Sequence, residues 1–259
     1  MLISIVPHRV LGVIPARYAS SRFPGKVLAT IAGKTMLQHV WERASQARYL
    51  TSLAIATDDE RIRDAAREFG ARVVMTRADH VSGTDRVAEA ASSSNAGIVV
   101  NIQGDEPMID PTAIDIAILG LIENDEAPMA TLKKRIERPG DVTDPNVVKV
   151  VTDASGMAIY FSRSPIPYLR DKQGDESRSP AFPYFKHLGL YAYRRDFLLA
   201  YPDLPVGPLE RAERLEQLRA IENGFKIHVG ETEYDSVGVD TPEDCARVAE
   251  IFEKTMVST

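Results

Sequence analysis

The 259-residue sequence contains one cysteine, Cys245, so no disulfide can form within the chain, and we expect a reducing compartment. It has no basic excess: 31 Lys and Arg stand against 37 Asp and Glu, a formal net charge of −6, which disfavours a nucleic-acid partner. No apolar run reaches the roughly 18–20 residues of a membrane span, because Asp115 interrupts the best candidate, IDIAILGLI. The stretch MLISIVPHRV lacks the features of a signal peptide, so we expect a cytoplasmic protein without a membrane partner.

The composition is that of a globular protein. Hydrophobic residues make up 44% and charged residues 26%, which excludes a disordered, collagen-like or coiled-coil chain. The length corresponds to one large domain or two small ones, at roughly 100–200 residues per domain. Because the net charge is negative, an anionic ligand must be held by a local cluster of basic side chains.

The first half of the chain alternates between strand-like and helix-like segments. Apolar runs typical of buried strands occupy 10–15, 53–57, 72–75 and 97–102. Segments with helical signals, either apolar spacing or a capped helix start, occupy 35–48, 58–70, 82–91 and 111–124. This order predicts an α/β fold with a mostly parallel central sheet and helices on both faces.

The second half is less regular. Strands are predicted at 130–136, 147–152, 186–195 and 226–232, and helices at 209–224 and 241–254. Between them, residues 164–184 are rich in proline and charge, which indicates a long loop or arm.

The loop after the first strand, residues 16–26, carries Arg17, Arg22 and Lys26 together with serines and a glycine. In an open parallel sheet, ligands bind beyond the carboxyl ends of the strands, and cations with free backbone N–H groups suit a polyphosphate. The loop is not a Walker A motif, since Val27 stands where that motif needs Ser or Thr. The alternative is an ordinary solvated basic loop.

Two carboxylates also follow strand-like runs. Asp105 lies in NIQGDEP, and Asp240 lies in GVDTPED, where the following Thr241 and Asp244 are explained as a helix cap. Asp105 and Asp240 together could share one Mg²⁺ between triphosphate oxygens. The alternative for Asp105 is a turn residue before the helix that starts near Pro111.

Eight segments stand in the order in which they occur in 3-deoxy-manno-octulosonate cytidylyltransferases, and the chain resembles that family over nearly its whole length. The segments are PARYASSRFPGK, ATDDERI, MTRADHVSGTDR, NIQGDEPMI, YFSRSPIP, HLGLYAY, LEQLR and GVDTPED. The chain departs from the family pattern in its first nine residues, which resemble an extra leader, and in the charged stretch 170–179.

The resemblance implies a Mg²⁺-dependent enzyme, usually a homodimer, that transfers CMP from CTP to 3-deoxy-D-manno-octulosonate (KDO) for lipopolysaccharide synthesis and releases pyrophosphate. It implies a Rossmann-like nucleotidyltransferase fold with a smaller inserted arm. We expect 1–135 plus 186–259 to form the nucleotide-binding core, and 136–185 to form the arm, which contributes to the sugar site and to the dimer interface.

The residue patterns and the resemblance together give the candidate site residues. The catalytic set is Lys26, Asp105 and Asp240, with both aspartates as metal ligands. The nucleotide-binding set is Arg17, Arg22, Lys26, Ser82 and Thr84. The sugar-binding set is Arg77, Gln103, Arg163, His187, Tyr191, Glu216 and Gln217. Strand alternation agrees that His187 and Tyr191 share one face.

Simpler roles remain open for several of these residues. Ser82 or Thr84 could only cap a helix, His187 could be a buried hydrogen-bonded histidine, Arg163 could form a surface ion pair, and Glu216 could be a solvated helix residue. A related function is a cytidylyltransferase for amino-substituted KDO or sialic acid. Less favoured are a glycosyltransferase, since the sequence has no D-x-D motif, and a nucleotide-binding module without activity, which would be expected to lose Asp105 or Asp240.

Overall fold

The computed structural model describes residues 9–19, 23–170 and 182–257, with side chains described up to residue 254. The strands are β1 Val10–Pro15, β2 Thr30–Ile31, β3 Lys34–Thr35, β4 Ser52–Thr57, β5 Val73–Met75, β6 Ile98–Asn101, β7 Met129–Arg135, β8 Lys149–Thr152, β9 Ala158–Ser162, β10 Phe185–Arg194 and β11 Ile227–Glu231. The helices are α1 Met36–Ala44, α2 Glu60–Glu68, α3 Gly83–Ser92, α4 Pro111–Ile122, α5 Pro139–Thr143, α6 Arg195–Ala200, α7 Pro208–Glu213, α8 Leu218–Glu222 and α9 Pro242–Val257.

The central sheet has the strand order β11-β7-β10-β6-β1-β4-β5. The strands β6, β1, β4 and β5 run parallel to one another, and β7 is parallel to β11. The predicted α/β fold with a mostly parallel sheet is therefore confirmed. The exception is β10, which runs antiparallel to both β6 and β7.

The apolar run of β1 is buried on both faces of the sheet. Val10 and Ile14 belong to one core cluster, and Leu11 and Val13 belong to a second. An apolar strand whose side chains alternate between two cores is expected in the middle of a parallel sheet covered on both faces. This packing fixes the edge of the sheet at which the loop after β1 begins.

The C-terminal helix α9 packs on a third, smaller core. Val248 of this helix lies with Ile31 and Met36, close to the loop that follows β1. The ring of His39 also lies 4.4 Å from the ring of Phe252, and its Nε2 is 2.7 Å from the carbonyl oxygen of Ile31. The start of α9, which follows Asp240, is therefore held beside the loop that carries Lys26.

The described part of the segment 136–185 contains α5, β8 and β9. Strand β8 pairs with β10 through Lys149 and Lys186, and β9 pairs with β8, so these strands extend the central sheet. The Lys149 side chain is buried and donates to the carbonyl oxygens of Asp144, Val147 and Arg163. The division of the chain into a core and an arm stays a prediction, and residues 171–181 of the expected loop lie outside the described residues.

The single helix predicted over 209–224 is wrong. The chain forms α7 and α8 instead, and Arg214 between them has a φ of 53°, in the left-handed region. The break turns Leu215 and Leu218 into the core and leaves the Glu216 carbonyl to accept from the Tyr201 hydroxyl at 2.7 Å. The prediction also overlooked β9, α5 and α6. Among the described helices, none combines the length and the apolar character that crossing a membrane requires.

Candidate active site

A cleft opens at the edge of the sheet where β1 and β6 end. Its first cavity, of about 320 Å³, lies between the loop after β1, the loop after β6, the start of α3 and the start of α9. The lining includes Arg17, Lys26, His80, Ser82, Gly83, Arg86, Gln103, Gly104, Asp105 and Asp240. Loops that follow parallel strands meet here, as the strand-end rule predicts.

Lys26 joins the two aspartates. Its Nζ lies 2.7 Å from Oδ2 of Asp105 and 3.0 Å from Oδ1 of Asp240, and it also donates to the carbonyl oxygen of Val239 at 3.0 Å. Burial alone would lower the pKa of Lys26, but the two carboxylates outweigh it, so the pKa is raised and the ammonium stays charged. The structure thus brings together the three residues predicted to form the catalytic set.

The loop that carries Lys26 is shaped by a ring and a glycine. Gly25 has a φ of 70°, and its N–H donates to the carbonyl oxygen of Tyr18 at 2.9 Å. The Tyr18 ring lies against Gly25, where a Cβ would come within 2.9 Å of it, and the Arg61 guanidinium stacks on the ring at 3.3 Å. These contacts shape the loop from which Lys26 reaches Asp105 and Asp240.

The loop that carries Asp105 crosses close to β1. A Cβ on Gly104 would lie 2.9 Å from the carbonyl oxygen of Pro15, so only a glycine allows this approach. The backbone N–H of Val239 donates to the carbonyl oxygen of Asp105 at 2.9 Å. The loops of the two aspartates are therefore in direct contact.

The start of α3 forms another wall of the first cavity. Ser82 caps this helix in a capping box with Asp85, so capping explains its hydroxyl, while Gly83 is the first helical residue. The N-terminus of a helix favours anions through its free N–H groups and its dipole. With Arg17 and Lys26 in the same cavity, this wall suits phosphate oxygens.

A second cavity, of about 140 Å³, adjoins the first, since Gly83 and Gln103 line both. The other lining residues are Thr84, Asn101, Met129, Tyr191, Tyr193, Tyr201, Glu216 and Gln217. Because β10 is antiparallel and Tyr191 pairs with Asn101, the residues before Tyr191 lie beyond the carboxyl end of β6. The reversed strand thus reaches the same cleft.

The second cavity is polar and partly buried. Burial raises the pKa of Glu216, and a hydrogen bond with Thr84 opposes that rise. The Nε2 of Gln217 is buried without a hydrogen-bond partner among the described residues. Because an unpaired buried donor is costly, this amide is suited to a ligand with acceptor oxygens. A sugar acid with many hydroxyls fits such a lining.

His187 lies behind the second cavity, on the same side of β10 as Tyr191. Its ring is 5.5 Å from the ring of Tyr191 and 5.0 Å from that of Phe161, and its Nε2 is 3.0 Å from Oγ1 of Thr131. Burial lowers its pKa to about 3, so the imidazole is neutral. The shared face predicted for His187 and Tyr191 is confirmed.

Three predicted sugar-site residues, His187, Arg77 and Arg163, do not line either cavity among the described residues. Arg77 is 69% exposed on its side chain and faces Asp79 at 3.5 Å. Arg163 donates to the carbonyl oxygens of Glu213 at 2.7 Å and Pro145 at 2.9 Å.

The other predicted residues are distributed as follows. Arg17, Lys26 and Ser82 line the first cavity, whereas Thr84 lines the second. Arg22 lies outside the described residues.

Sequence reasoning overlooked several lining residues. Arg86 is 5% exposed and forms an ion pair with Asp58 at 3.2 Å, although a helical arginine in a charged segment reads as solvated. His80, which contacts Glu89 through Nε2, also lines the first cavity. Tyr201, the residue directly after α6, also lines the second cavity. The sequence SGTDR, which places Arg86 in the first turns of the helix that lines the cleft, could have indicated this residue.

The two aspartates fit a magnesium ion. In this structure both carboxylates bind the ammonium of Lys26. The side chain of Asp105 is 33% exposed and that of Asp240 is 50% exposed. Within the described residues, no group of three or more His, Cys, Asp and Glu side chains could hold a metal. Mg²⁺ takes one or two protein carboxylates beside phosphate oxygens and waters, which is the donor set that Asp105 and Asp240 provide.

The fold and the cleft define a nucleotidyltransferase-like α/β protein. A cytidylyltransferase structure from Leptospira borgpetersenii shares this fold with a TM-score of 0.61 at 18% identity, covering 96% of each chain. A structure of CMP:2-keto-3-deoxy-manno-octonic acid synthetase complexed with CTP matches with a TM-score of 0.88 at 43% identity, covering 95% of this chain and 99% of that chain.

Comparison of the sequence with known proteins identifies the family within this class. The cytidylyltransferase family model matches residues 11–227. The 3-deoxy-manno-octulosonate cytidylyltransferase of Solibacter usitatus is 66% identical over 252 residues, covering 97% of this chain and 98% of the relative. That of Geobacter sulfurreducens is 56% identical over 245 residues, covering 93% and 98%. The chain therefore belongs to the cytidylyltransferase family, in the group of the 3-deoxy-manno-octulosonate cytidylyltransferases.

Proposed function

We propose that the chain transfers CMP from CTP to KDO, giving CMP-KDO and pyrophosphate, and so activates the sugar for lipopolysaccharide synthesis. The observation that carries this proposal is the cleft itself. A cavity with Lys26, Asp105 and Asp240 on its wall opens directly into a second, hydroxyl- and amide-lined cavity. The names of the relatives favour KDO over amino-substituted KDO and sialic acid.

In this reaction the C2 hydroxyl oxygen of KDO forms a bond to the α-phosphorus of CTP, and the bond from that phosphorus to the β-phosphate oxygen breaks. Pyrophosphate leaves with the electron pair of the broken bond, and the proton of the C2 hydroxyl is released to solvent. Transfers of this kind depend mainly on positioning and on charge neutralisation. Arg17, Lys26 and the start of α3 hold the phosphates, while Tyr191, Glu216 and Gln217 orient the sugar in the adjoining cavity.

Asp105 and Asp240 would hold Mg²⁺ between them and the phosphates. Bound there, the ion would neutralise charge that develops on the phosphate oxygens. Lys26 keeps the two carboxylates together before CTP arrives, since all three groups lie within hydrogen-bond distance. Gly104 keeps Asp105 at the end of β1 by allowing the close approach to Pro15.

The proposal also includes a cytoplasmic homodimer without a nucleic-acid or membrane partner. The single cysteine and the net charge of −6 support the location and the absence of a nucleic-acid partner. Exposed apolar side chains on the segment 136–185, Ile159 at 58% and Tyr168 at 86%, support an interface there.

Pyrophosphate release from CTP tests the function. The purified chain is supplied with KDO, its amino-substituted analogue or sialic acid, with and without Mg²⁺. We expect fast release with KDO and Mg²⁺ and little in the other arms. Preference for sialic acid or for the amino analogue would move the assignment to that sugar, and release that is equal without metal would remove Mg²⁺ from the proposal.

A further inference from the structure

The nine residues 232–240, which we call the Asp240 segment, connect β11 to the start of α9 without regular secondary structure. This segment carries Asp240, so its path decides where that carboxylate lies. The N–H of Thr232 donates to the carbonyl oxygen of Lys133 in β7 at 3.0 Å, and this backbone bond fixes only the start of the segment. Its position depends on individual contacts, and each contact can be identified.

Three contacts attach this segment to the loop that carries Asp105. The backbone N–H of Val239 donates to the carbonyl oxygen of Asp105 at 2.9 Å. The hydroxyl of Tyr234 donates to Oε2 of Glu106 at 3.0 Å, and Ser236 forms a second side-chain hydrogen bond with Glu106. Glu106, the residue directly after Asp105, thus binds two side chains of the Asp240 segment.

The backbone around Glu106 is also fixed by contacts within its own loop. Glu106 is 9% exposed, and its carbonyl oxygen accepts a hydrogen bond from the N–H of Ile109 at 3.0 Å. The carbonyl oxygen of Ile109 in turn accepts from Nε of Arg43, in α1, at 2.7 Å. The loop that carries Asp105 and Glu106 is therefore held in place by a hydrogen bond to α1. Glu106 in turn holds the Asp240 segment through its own hydrogen bonds.

We propose that Glu106 is a positioning residue that fixes the separation of Asp105 and Asp240 by holding Tyr234 and Ser236. The Glu106 carboxyl binds the hydroxyls of Tyr234 and Ser236. It is not among the groups that bind Lys26, which are Asp105, Asp240 and the Val239 carbonyl. We therefore infer that Glu106 affects the metal site indirectly, through the positions of the two aspartates. This inference rests on the proposed function, in which both aspartates hold the metal.

The test compares Glu106→Leu with Glu106→Gln. Leucine removes both hydrogen bonds of the Glu106 carboxyl, so the two aspartates lose their fixed spacing. We expect the Mg²⁺ concentration for half-maximal pyrophosphate release to rise about tenfold or more. Two hydrogen bonds at about 1 kcal/mol each correspond to more than a tenfold change in affinity. Glutamine keeps an acceptor for Tyr234, so it should restore metal affinity close to that of the parent. Turnover at saturating Mg²⁺ should change less than the metal requirement.

A direct binding measurement accompanies the kinetics. Electron paramagnetic resonance of free Mn²⁺, titrated with protein and CTP, reports metal affinity without turnover. Ile118→Ala is the matched control, because Ile118 is fully buried in the core away from the cleft. It should lower the unfolding temperature and leave Mn²⁺ affinity unchanged.

Tyr234→Phe and Ser236→Ala remove one donor each. They give a smaller loss of Mn²⁺ affinity in the same direction, and they keep the test usable if Glu106→Leu does not fold. Parent-like Mn²⁺ affinity in Glu106→Leu, or in both single-donor variants where Glu106→Leu does not fold, would overturn the role of Glu106. If the parent enzyme itself needs no divalent metal, the proposed metal site fails instead, so the two failures are distinguishable.

Discussion

Lys26 stands between two carboxylates that would otherwise repel each other. With Nζ at 2.7 Å from Asp105 and 3.0 Å from Asp240, it holds both on the wall of the first cavity before any substrate binds. Its side chain is only 13% exposed, so solvent screens these pairs less than it screens a surface ion pair. A single residue therefore holds the two carboxylates together in addition to its proposed role in phosphate binding.

Lys26→Ala should reduce kcat/KM for CTP by about one to two orders of magnitude, because one charged hydrogen bond contributes about 1.5–3 kcal/mol. The unfolding temperature should also fall without divalent metal and recover in part when Mg²⁺ is added, because the metal then neutralises the paired aspartates. Steady-state kinetics and thermal unfolding measure the two effects.

The control is Lys34→Ala, which removes the exposed pair with Glu42. This variant should leave both quantities nearly unchanged, since exposed pairs contribute little. A Lys26→Ala enzyme with parent kcat/KM would show that Lys26 does not bind the phosphates.

His187 should make stability depend on pH. Burial lowers its pKa to about 3, whereas an unfolded histidine titrates near 6.5. Below the unfolded value the unfolded state binds a proton that the folded state does not, so stability falls with pH from about 6.5 toward 3. Each pH unit in this window costs up to about 1.4 kcal/mol.

Urea unfolding at about pH 7.5 and about pH 5 measures this loss for the parent and for His187→Gln. The glutamine variant keeps a polar partner for Thr131 and cannot take up the proton, so its stability should change less between the two pH values. Equal losses in both proteins would mean that His187 is not the group responsible.

At the scale of elements, the site depends on how closely two loops cross. Gly104→Ala places a Cβ 2.9 Å from the Pro15 carbonyl oxygen, and this oxygen belongs to the backbone of the central strand β1. The loop after β6 must then move, taking Asp105 away from Lys26. We expect a loss of stability of about 1–3 kcal/mol, as for overpacked sites, and a fall in turnover of about tenfold or more, since misplacing reacting groups is costly.

Gly97→Ala is the matched glycine control, because a Cβ there meets no atom within 4 Å. Chemical denaturation and pyrophosphate release compare the two variants with the parent. If Gly104→Ala behaves like Gly97→Ala, the close crossing does not position Asp105.

The order of strands and helices could be predicted because hydrophobic patterning is local. The apolar run of β1 and the helical spacing of apolar residues in α1 both require burial wherever they are placed. The break at Arg214 could not be predicted: no glycine or proline marks it, and it depends on the tertiary burial of Leu215 and Leu218. Strand β9 was also missed, since its partner β8 is what makes it a strand.

The nucleotide end of the candidate site followed only in part from position. Asp105 lies four residues after β6, as the strand-end rule expects. The expectation that Asp240 directly follows a strand is wrong, because Asp240 lies nine residues beyond the end of β11 and reaches the cleft through contacts of the irregular segment before α9. The sugar end was less accessible to such reasoning, because it depends on the reversed direction of β10 and on the turn before Gln217, both set by tertiary packing. Arg77 and Arg163 came from resemblance, and their roles stay predictions.

At the scale of the whole molecule, the segment 136–185 should form the dimer interface. Ile159 is 58% exposed on β9, the outermost strand of the extension of the sheet, and an uncovered apolar edge favours pairing with a second copy. Light scattering at micromolar concentration should give twice the mass of the chain. Ile159→Glu should shift the protein toward the monomer, because it places a charge in the interface.

Val206→Glu is the control, since Val206 is 39% exposed and lies outside this segment. The Val206→Glu variant should have the same mass in light scattering as the parent dimer. A monomeric parent would contradict the proposed dimer, and a dimer that tolerates Ile159→Glu would place the interface elsewhere.

The reversed direction of β10 has a consequence for evolution. The two cavities share only Gly83 and Gln103 among their described lining residues, since one is built by loops after parallel strands and the other by β10 and the turn between α7 and α8. Under the proposed function, mutations in β10 would remodel the cavity proposed for the acceptor sugar, while the cavity proposed for the phosphates would keep its geometry. A lineage with this architecture would then acquire a new acceptor sugar through changes in one strand and one turn, and it would retain its donor chemistry.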